Sequence, residues 1–157
     1  MTDRIPRLLI RQLKEEENIP YELLLLADET MDAINKYIHA SEIYIAEQNH
    51  KVIAVYVLYP INTEIAEIKN IAVDEAYQNQ GIGKLLLKDA DKRAEQHNYK
   101  ELIIGTPDTA EKQISIYQKA GFKITGIKKD FFIINYPEPI IEDGVALRDM
   151  VMLSKQI

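Results

Sequence analysis

A short segment with two closely spaced glycines, Gln78-Asn79-Gln80-Gly81-Ile82-Gly83, constrains this chain most strongly. It follows a mostly apolar, strand-like run at residues 68–73 and precedes a helix-like run at residues 84–90. Glycines let backbone N–H groups approach an anion closely, and a helix start adds unpaired N–H groups and the positive end of the helix dipole. The segment therefore predicts a phosphate-binding loop, although a glycine before a helix is equally often only a tight connection.

The spacing of the glycines excludes two common nucleotide motifs. The dinucleotide fingerprint needs three glycines and an acidic residue about 20 positions later. A Walker loop needs a lysine followed by Ser or Thr, whereas Lys84 is followed by Leu85. The anion that binds here is therefore expected to belong to another kind of ligand.

Two further features have the order and spacing of a known family. Glu67 lies in the strand before the loop, and Tyr117-Gln118-Lys119-Ala120-Gly121-Phe122 follows about 35 residues after the loop. Over residues 43–127 the chain resembles the GNAT superfamily of acyl-CoA-dependent N-acetyltransferases. In that family the loop reads Gln/Arg-x-x-Gly-x-Gly/Ala, and a later helix often ends in Tyr-x-Lys-x-Gly-Phe.

The resemblance implies acetyl-CoA as the co-substrate. Backbone amides of the loop would bind its pyrophosphate, and main-chain groups at the end of the preceding strand would pair with the pantetheine arm. The loop positions are Gln78, Asn79, Gln80, Gly81, Ile82, Gly83 and Lys84, and the strand positions are Ile71, Ala72 and Val73. The asparagine that family members often place after the next strand is replaced by residues 106–109, Thr-Pro-Asp-Thr.

Two side chains match the catalytic positions of the family. Tyr117 would protonate the departing thiolate, because a phenol has a pKa near 10, close enough to that of a thiol. Glu67 would accept the amine proton, directly or through water. An amphipathic helix tyrosine and an exposed strand glutamate are the alternatives. Strand alternation places Glu67 and Lys69 on the face opposite Ile68.

These residues predict direct acetyl transfer from acetyl-CoA to a primary amine of a small molecule or peptide. A non-catalytic acyl-CoA-binding or sensor module is the alternative. Asp28, Glu29, Asp32 and residues 130–144 are the expected acceptor walls, because acids and aromatics together suit a cationic amine. A charged, solvent-facing loop is the simpler interpretation of residues 130–144.

Composition excludes several other classes. A length of 157 residues fits a single domain over 1–157, and a net charge of −6 argues against nucleic-acid binding. No cysteine is present, and the three histidines are scattered, so neither disulfides nor a metal site are expected. No membrane span or secretory segment is visible, which predicts a cytoplasmic protein. A homodimer is left open.

The predicted fold is α+β, a GNAT fold with a mixed sheet of six or seven strands flanked by about four helices. A helix between two strands predicts a parallel pair, with the loop at its carboxyl end. Predicted strands cover residues 7–13, 41–47, 51–59, 63–73, 101–105, 123–134 and 146–153. Predicted helices begin at Pro20, near Thr30, after the loop (to about residue 98) and at Asp108 or Thr109 (to Gly121).

Overall fold

The computed structural model describes residues 8–157, which form a seven-stranded mixed sheet, a two-stranded ribbon and five α-helices. The strands of the sheet are β1 (Leu9–Gln12), β2 (Glu42–Gln48), β3 (Lys51–Pro60), β4 (Ile65–Val73), β5 (Glu101–Pro107), β6 (Lys123–Lys128) and β9 (Met150–Gln156). The ribbon consists of β7 (Ile141–Glu142) and β8 (Val145–Ala146). The α-helices are α1 (Tyr21–Leu24), α2 (Met31–Asn35), α3 (Ile82–Gln96), α4 (Glu111–Lys119) and α5 (Phe131–Ile134).

The strand order is β1-β2-β3-β4-β5-β9-β6. Within the sheet, β4 and β5 run parallel with α3 between them, and all other neighbours are antiparallel. The predicted mixed α+β GNAT fold and the predicted parallel pair are therefore confirmed, with five helices in place of about four.

Alternating side chains of the sheet build a core on each face. On one face, α3 and α4 cover Tyr56 and Leu58, and on the other, α1 and α2 cover Val55 and Val57. The helical spacing of Ile82, Leu86, Ala90 and Ala94 predicts a buried stripe on α3, which is confirmed, and Leu86 is fully buried. Truncation of such a leucine to alanine typically costs about 2–5 kcal/mol. The helix start beside the loop is thus fixed by packing.

A β-bulge in β4 opens the sheet. The β3–β4 register passes from Val57↔Asn70 to Leu58↔Ile68, so Lys69 is the extra residue. The pairing of β4 with β5 covers only Ile65 to Ile68. Beyond that point the two parallel strands diverge, and a cleft forms between their carboxyl ends.

The prediction for the strand after α4 is wrong. The strand predicted over residues 123–134 ends at Lys128, because Asp130 has a left-handed backbone (φ 57°) and α5 begins directly after it. The Asp130 N–H donates to Asp149 Oδ1 at 2.8 Å, and the Phe132 N–H donates to the Arg148 carbonyl. These contacts from another part of the chain override the local extended preference.

Several predicted boundaries also shift. The N-cap of α4 is Ala110, without a side-chain cap, so the predicted Asp108 or Thr109 cap is wrong. The last strand runs over Met150–Gln156, not 146–153. The first strand is shorter than predicted, with Arg7 outside the described residues. By contrast, the left-handed turn predicted at Gly121 after α4 is confirmed, with φ 102°.

Lys155 connects β9 to the two helices α3 and α4. Its ammonium donates to Asp91 Oδ2 of α3 at 2.5 Å and to the Ala120 carbonyl, at the end of α4, at 2.7 Å. It also lies 5.9 Å from the centre of the Phe122 ring. A cation at a helix C-terminus is favourable, and here it fixes the end of α4 against α3.

We predict that Lys155→Met lowers the free energy of unfolding by about 1–3 kcal/mol, because the part-buried Asp91 carboxylate and the end of α4 lose their donor. Chemical denaturation measures the change. The matched control is Lys92→Met, on the exposed side of the same helix α3. A surface change of that kind stays within about 0.5 kcal/mol. Equal losses in the two variants would contradict the structural role of Lys155.

Candidate active site

The divergence of β4 and β5 creates a cleft of about 840 Å³. The loop before α3 and one side of α4 form one end, and the α1–α2 region, α5 and β7 form the other. Among the residues predicted from the sequence, Glu67 and Tyr117 both line this cleft. The predicted coenzyme residues that line it are Ile71, Ala72, Val73, Gln78, Asn79, Gly81, Ile82, Gly83 and Lys84. Gln80 does not line it.

The loop has the geometry that an anion site needs. Gly81 is left-handed, with φ 82°, and α3 begins at the next residue. A Cβ atom built on Gly81 or on Gly83 meets no other atom within 4 Å, so the space in front of the helix start is open. The Gln78 side-chain amide donates to the Val73 carbonyl at 3.0 Å and holds the loop against the end of β4.

Lysines add positive charge to this end of the cleft. Lys84 and Lys119 line it, and Lys112 donates to Asn79 Oδ1 at 3.1 Å. Sequence reasoning missed Lys112, which lies 33 residues beyond Asn79. Its spacing from Lys119 is a signal, since residues seven apart lie on the same face of a helix.

The end of β4 faces the cleft without a strand partner on its β5 side. In the described chain, β4–β5 pairing stops at Ile68, while pairing of β4 with β3 continues to Val73. Main-chain groups at Ile71–Val73, apart from the Val73 carbonyl that accepts from Gln78, are therefore available on one edge. An extended ligand arm can pair with such an edge as an added strand.

Tyr117 lies on the α4 wall of the cleft. It is 8% exposed and packs against Phe122, with its ring edge-on and the ring centres 6.3 Å apart. Burial raises its pKa to about 12. Within residues 8–157, no group hydrogen bonds to its hydroxyl. The phenol is therefore protonated at neutral pH and has its hydroxyl free for a ligand.

Glu67 lies on the β4 wall and is 6% exposed, so it is not the exposed strand glutamate of the alternative interpretation. Lys69 Nζ lies 3.3 Å from Glu67 Oε1, and the two side chains share a face as predicted. The same ammonium lies 5.6 Å from the Tyr59 ring centre and 6.0 Å from that of Tyr37. The two tyrosine rings and the Glu67 carboxylate together compensate the positive charge of Lys69.

Acidic and aromatic side chains line the other end of the cleft. Asp28 accepts hydrogen bonds from Tyr37 Oη at 3.0 Å and from Tyr136 Oη at 2.7 Å. Burial and the neighbouring Glu142 carboxyl raise the pKa of Glu29 to about 7. The two regions that the sequence predicts as acceptor walls, the one around Asp28 and the one at residues 130–144, therefore meet in the cleft.

Individual predicted acceptor residues divide into two groups. Those that line the cleft are Asp28, Glu29, Phe131, Phe132, Tyr136 and Glu142. Those that do not are Asp32, Glu138 and Asp143. Thr106, in the segment that replaces the usual asparagine, is 4% exposed and lines the cleft, whereas Asp108 does not.

Residues 8–157 contain no group of three or more His, Asp or Glu side chains arranged to hold a metal ion. In the same part of the chain, no helix has the length and apolar character to cross a membrane.

A sequence model of the acetyltransferase (GNAT) family matches residues 8–122. The chain belongs to this family. It is 42% identical over 143 residues to an uncharacterized N-acetyltransferase, YvbK, from Bacillus subtilis, covering 90% of this chain and 92% of that relative.

Solved GNAT structures agree with this assignment. One is a GNAT family acetyltransferase from Elizabethkingia anophelis with acetyl-CoA bound, with 47% identity, a TM-score of 0.93, and coverage of 96% of this chain and 98% of that one. Another is a Bacillus subtilis acetyltransferase in complex with CoA, with 39% identity, a TM-score of 0.88, and coverage of 96% and 99%. The protein is accordingly an acetyl-CoA-dependent acyltransferase.

Because a ligand that binds only the native state stabilises it, we expect acetyl-CoA at a hundredfold excess over its Kd to add about 2.7 kcal/mol to the free energy of unfolding.

Gly81→Ala should weaken acetyl-CoA binding at least about tenfold, because the new Cβ enters the open space and disfavours φ 82°. Calorimetry and thermal melts measure both effects.

Gly144→Ala is the matched control for this prediction. Gly144 has a similar left-handed φ of 78° and an equally open Cβ position, but it does not line the cleft. The two variants should lose similar intrinsic stability, and only Gly81→Ala should lose acetyl-CoA affinity. Unchanged melts of the parent protein in millimolar acetyl-CoA would contradict the loop assignment.

Proposed function

We propose that the enzyme transfers the acetyl group of acetyl-CoA directly to a primary amine. The observation that carries this proposal is the placement of Tyr117 and Glu67. Both are buried side chains that line one cleft, which also contains the glycine loop. A proton donor for the thiolate and a proton acceptor for the amine are the two groups that aminolysis of a thioester requires.

In the proposed reaction the neutral amine nitrogen attacks the thioester carbonyl carbon, and a C–N bond forms. Glu67, directly or through a water molecule, accepts a proton from the attacking nitrogen. The C–S bond then breaks, and the Tyr117 hydroxyl donates its proton to the sulfur. The products are an N-acetyl amide and free coenzyme A, and solvent finally carries the proton from Glu67 back to Tyr117. No acyl-enzyme intermediate is needed.

The environment of Tyr117 supports its role as the acid. Burial keeps the phenol protonated, since its pKa lies near 12. A proton donor to a thiolate must be present in its protonated form before the C–S bond breaks. Burial also disfavours the tyrosinate that forms transiently, so Tyr117 is a weaker acid than an exposed tyrosine and the tyrosinate must be reprotonated rapidly.

The alternative of a non-catalytic acyl-CoA-binding module is disfavoured, because such a module needs neither side chain. We further propose that residues 1–157 form a single acetyltransferase domain that acts in the cytoplasm. A homodimer stays an open alternative.

The direct test of the proposed function is release of coenzyme A thiol from acetyl-CoA in the presence of an amine. A panel of polyamines, aminoglycosides, amino acids and peptides with free N-termini covers the main amine classes. Mass spectrometry of the acceptor should show one added acetyl group on nitrogen. Thiol release that no amine accelerates over the hydrolytic background would refute amine transfer.

We predict that Tyr117→Phe lowers kcat by about 100-fold to 10,000-fold, with little change in acetyl-CoA affinity, because the hydroxyl acts only as the thiolate leaves. Single-turnover kinetics and calorimetry separate the two quantities. Tyr99→Phe, a tyrosine outside the cleft, is the control. Turnover of Tyr117→Phe within about twofold of the parent, with chemistry rate-limiting, would exclude Tyr117 as the acid.

Glu67→Gln should keep the fold and coenzyme affinity, because the two side chains have nearly the same shape. Turnover should fall most at low pH and recover partly from about pH 6 to about pH 10, since free amine accumulates and needs a base less. Glu64→Gln, an exposed residue just before β4, is the control. An unaltered pH profile would assign proton removal to water.

A further inference from the structure

Three carboxylates at the acceptor end of the cleft have no positive partner. They belong to Asp28, Glu29 and Glu142, which we name the acidic end. Lys36 and Lys128 also line the cleft, but within residues 8–157 no Lys, Arg or His nitrogen lies within 4.0 Å of any of these three carboxylates. Negative charge that the fold leaves uncompensated in a cleft favours a cationic ligand.

The three carboxylates of the acidic end differ in how many hydrogen-bond donors they already have. Asp28 already accepts two tyrosine hydroxyls and the Glu29 N–H, so the surrounding structure holds it in place. The Glu29 side chain has the Glu142 carboxyl as its neighbour. Burial together with this like-charged neighbour raises the pKa of Glu29 to about 7. A cation between the two carboxylates would remove their repulsion.

The Asn70 side chain provides an independent observation at the same end of the cleft. It is 3% exposed and lines the cleft. Its Nδ2 donates to the Leu24 carbonyl at 2.9 Å and to Tyr37 Oη at 3.2 Å, and the carbonyl partner fixes which amide atom is nitrogen. Its Oδ1 is buried and has no partner within the described chain. A buried oxygen without a donor costs about 1–3 kcal/mol, so the wall at this end of the cleft contains an unpaired polar group next to the Tyr37–Asp28 hydrogen bond.

One tyrosine connects the two ends of the acceptor region. Lys69 pairs with Glu67 and lies over the Tyr37 ring, while the Tyr37 hydroxyl donates to Asp28. The proposed base and the acidic end are thus connected by one continuous series of contacts in the wall of the cleft. An acceptor with one amine near Glu67 and a second near the acidic end would contact both.

Resting on the amine transfer proposed above, we propose that the acceptor is a short diamine or polyamine. One nitrogen is acetylated near Glu67, and a second, protonated nitrogen binds between Glu29 and Glu142. The Tyr136 ring, which lines the same end of the cleft, adds an aromatic face for this cation.

The test compares three amines of equal chain length with the intact enzyme and saturating acetyl-CoA. Putrescine has a distal ammonium, butylamine has a methyl group there, and γ-aminobutyrate has a carboxylate. We expect kcat/KM for putrescine to exceed the other two values by at least about tenfold, as expected for a partly desolvated charge pair. Equal values for putrescine and butylamine would overturn the diamine proposal and leave amine transfer intact.

Substitutions in the acidic end test where the second, protonated nitrogen of the acceptor binds. In Glu142→Gln and in Glu29→Gln, the ratio of putrescine to butylamine kcat/KM should fall toward one. The control, Glu138→Gln, changes an exposed acid of the same segment that does not line the cleft, and it should keep the ratio of the parent. A ratio that falls equally in the control would refute the assigned site.

Calorimetry tests the site without turnover. Putrescine should bind the parent enzyme loaded with coenzyme A, and Glu142→Gln should weaken this binding about tenfold. No detectable binding of putrescine would overturn the diamine proposal. If putrescine binds but none of the three amines releases thiol, the proposed function fails and the diamine site stands.

Discussion

The divergence of β4 from β5 is the constraint on which the rest of the site depends. Two parallel strands that paired along their whole length would leave no room between their carboxyl ends. The bulge at Lys69 ends the pairing at Ile68 and increases the local twist. It also places Lys69 and Asn70 on the same face, so that the acceptor side of β4 carries three polar side chains within four positions, counting Glu67.

The cleft has opposite charges at its two ends. Lysines of α3 and α4 lie near the glycine loop. Carboxylates of the α1–α2 region and β7 lie at the acceptor end, which also contains Lys36 and Lys128. A phosphate-bearing co-substrate and a cationic acceptor therefore each meet the favourable sign of charge. In the proposed reaction this separation would orient both substrates, with the thioester and the amine between Tyr117 and Glu67.

Features encoded by local spacing could be predicted from the sequence. The glycine loop, the buried stripe of α3 and the left-handed turn at Gly121 each depend on residues a few positions apart. Features that depend on distant partners could not. The helix α5 forms because Asp149 and Arg148 bind its first turn, and Lys112 joins the loop only because α4 folds back beside it. The hydrogen bonds of Asp28 with Tyr37 and Tyr136 likewise join residues 9 and 108 positions apart.

The position of Lys155 has a consequence for how the active site is assembled. Its bonds to Asp91 and Ala120 close separations of 64 and 35 residues, and β9 lies between β5 and β6 in the sheet. The entropy of closing long loops must be overcome before such contacts contribute. The β2–β3–β4 meander can form from neighbouring strands, whereas the Lys155 contacts at the end of α4 form only when β9 inserts. The sequence separations therefore predict that the wall of the cleft with Tyr117 becomes ordered late in folding, through a strand that contributes a single residue, Met150, to the lining of the cleft.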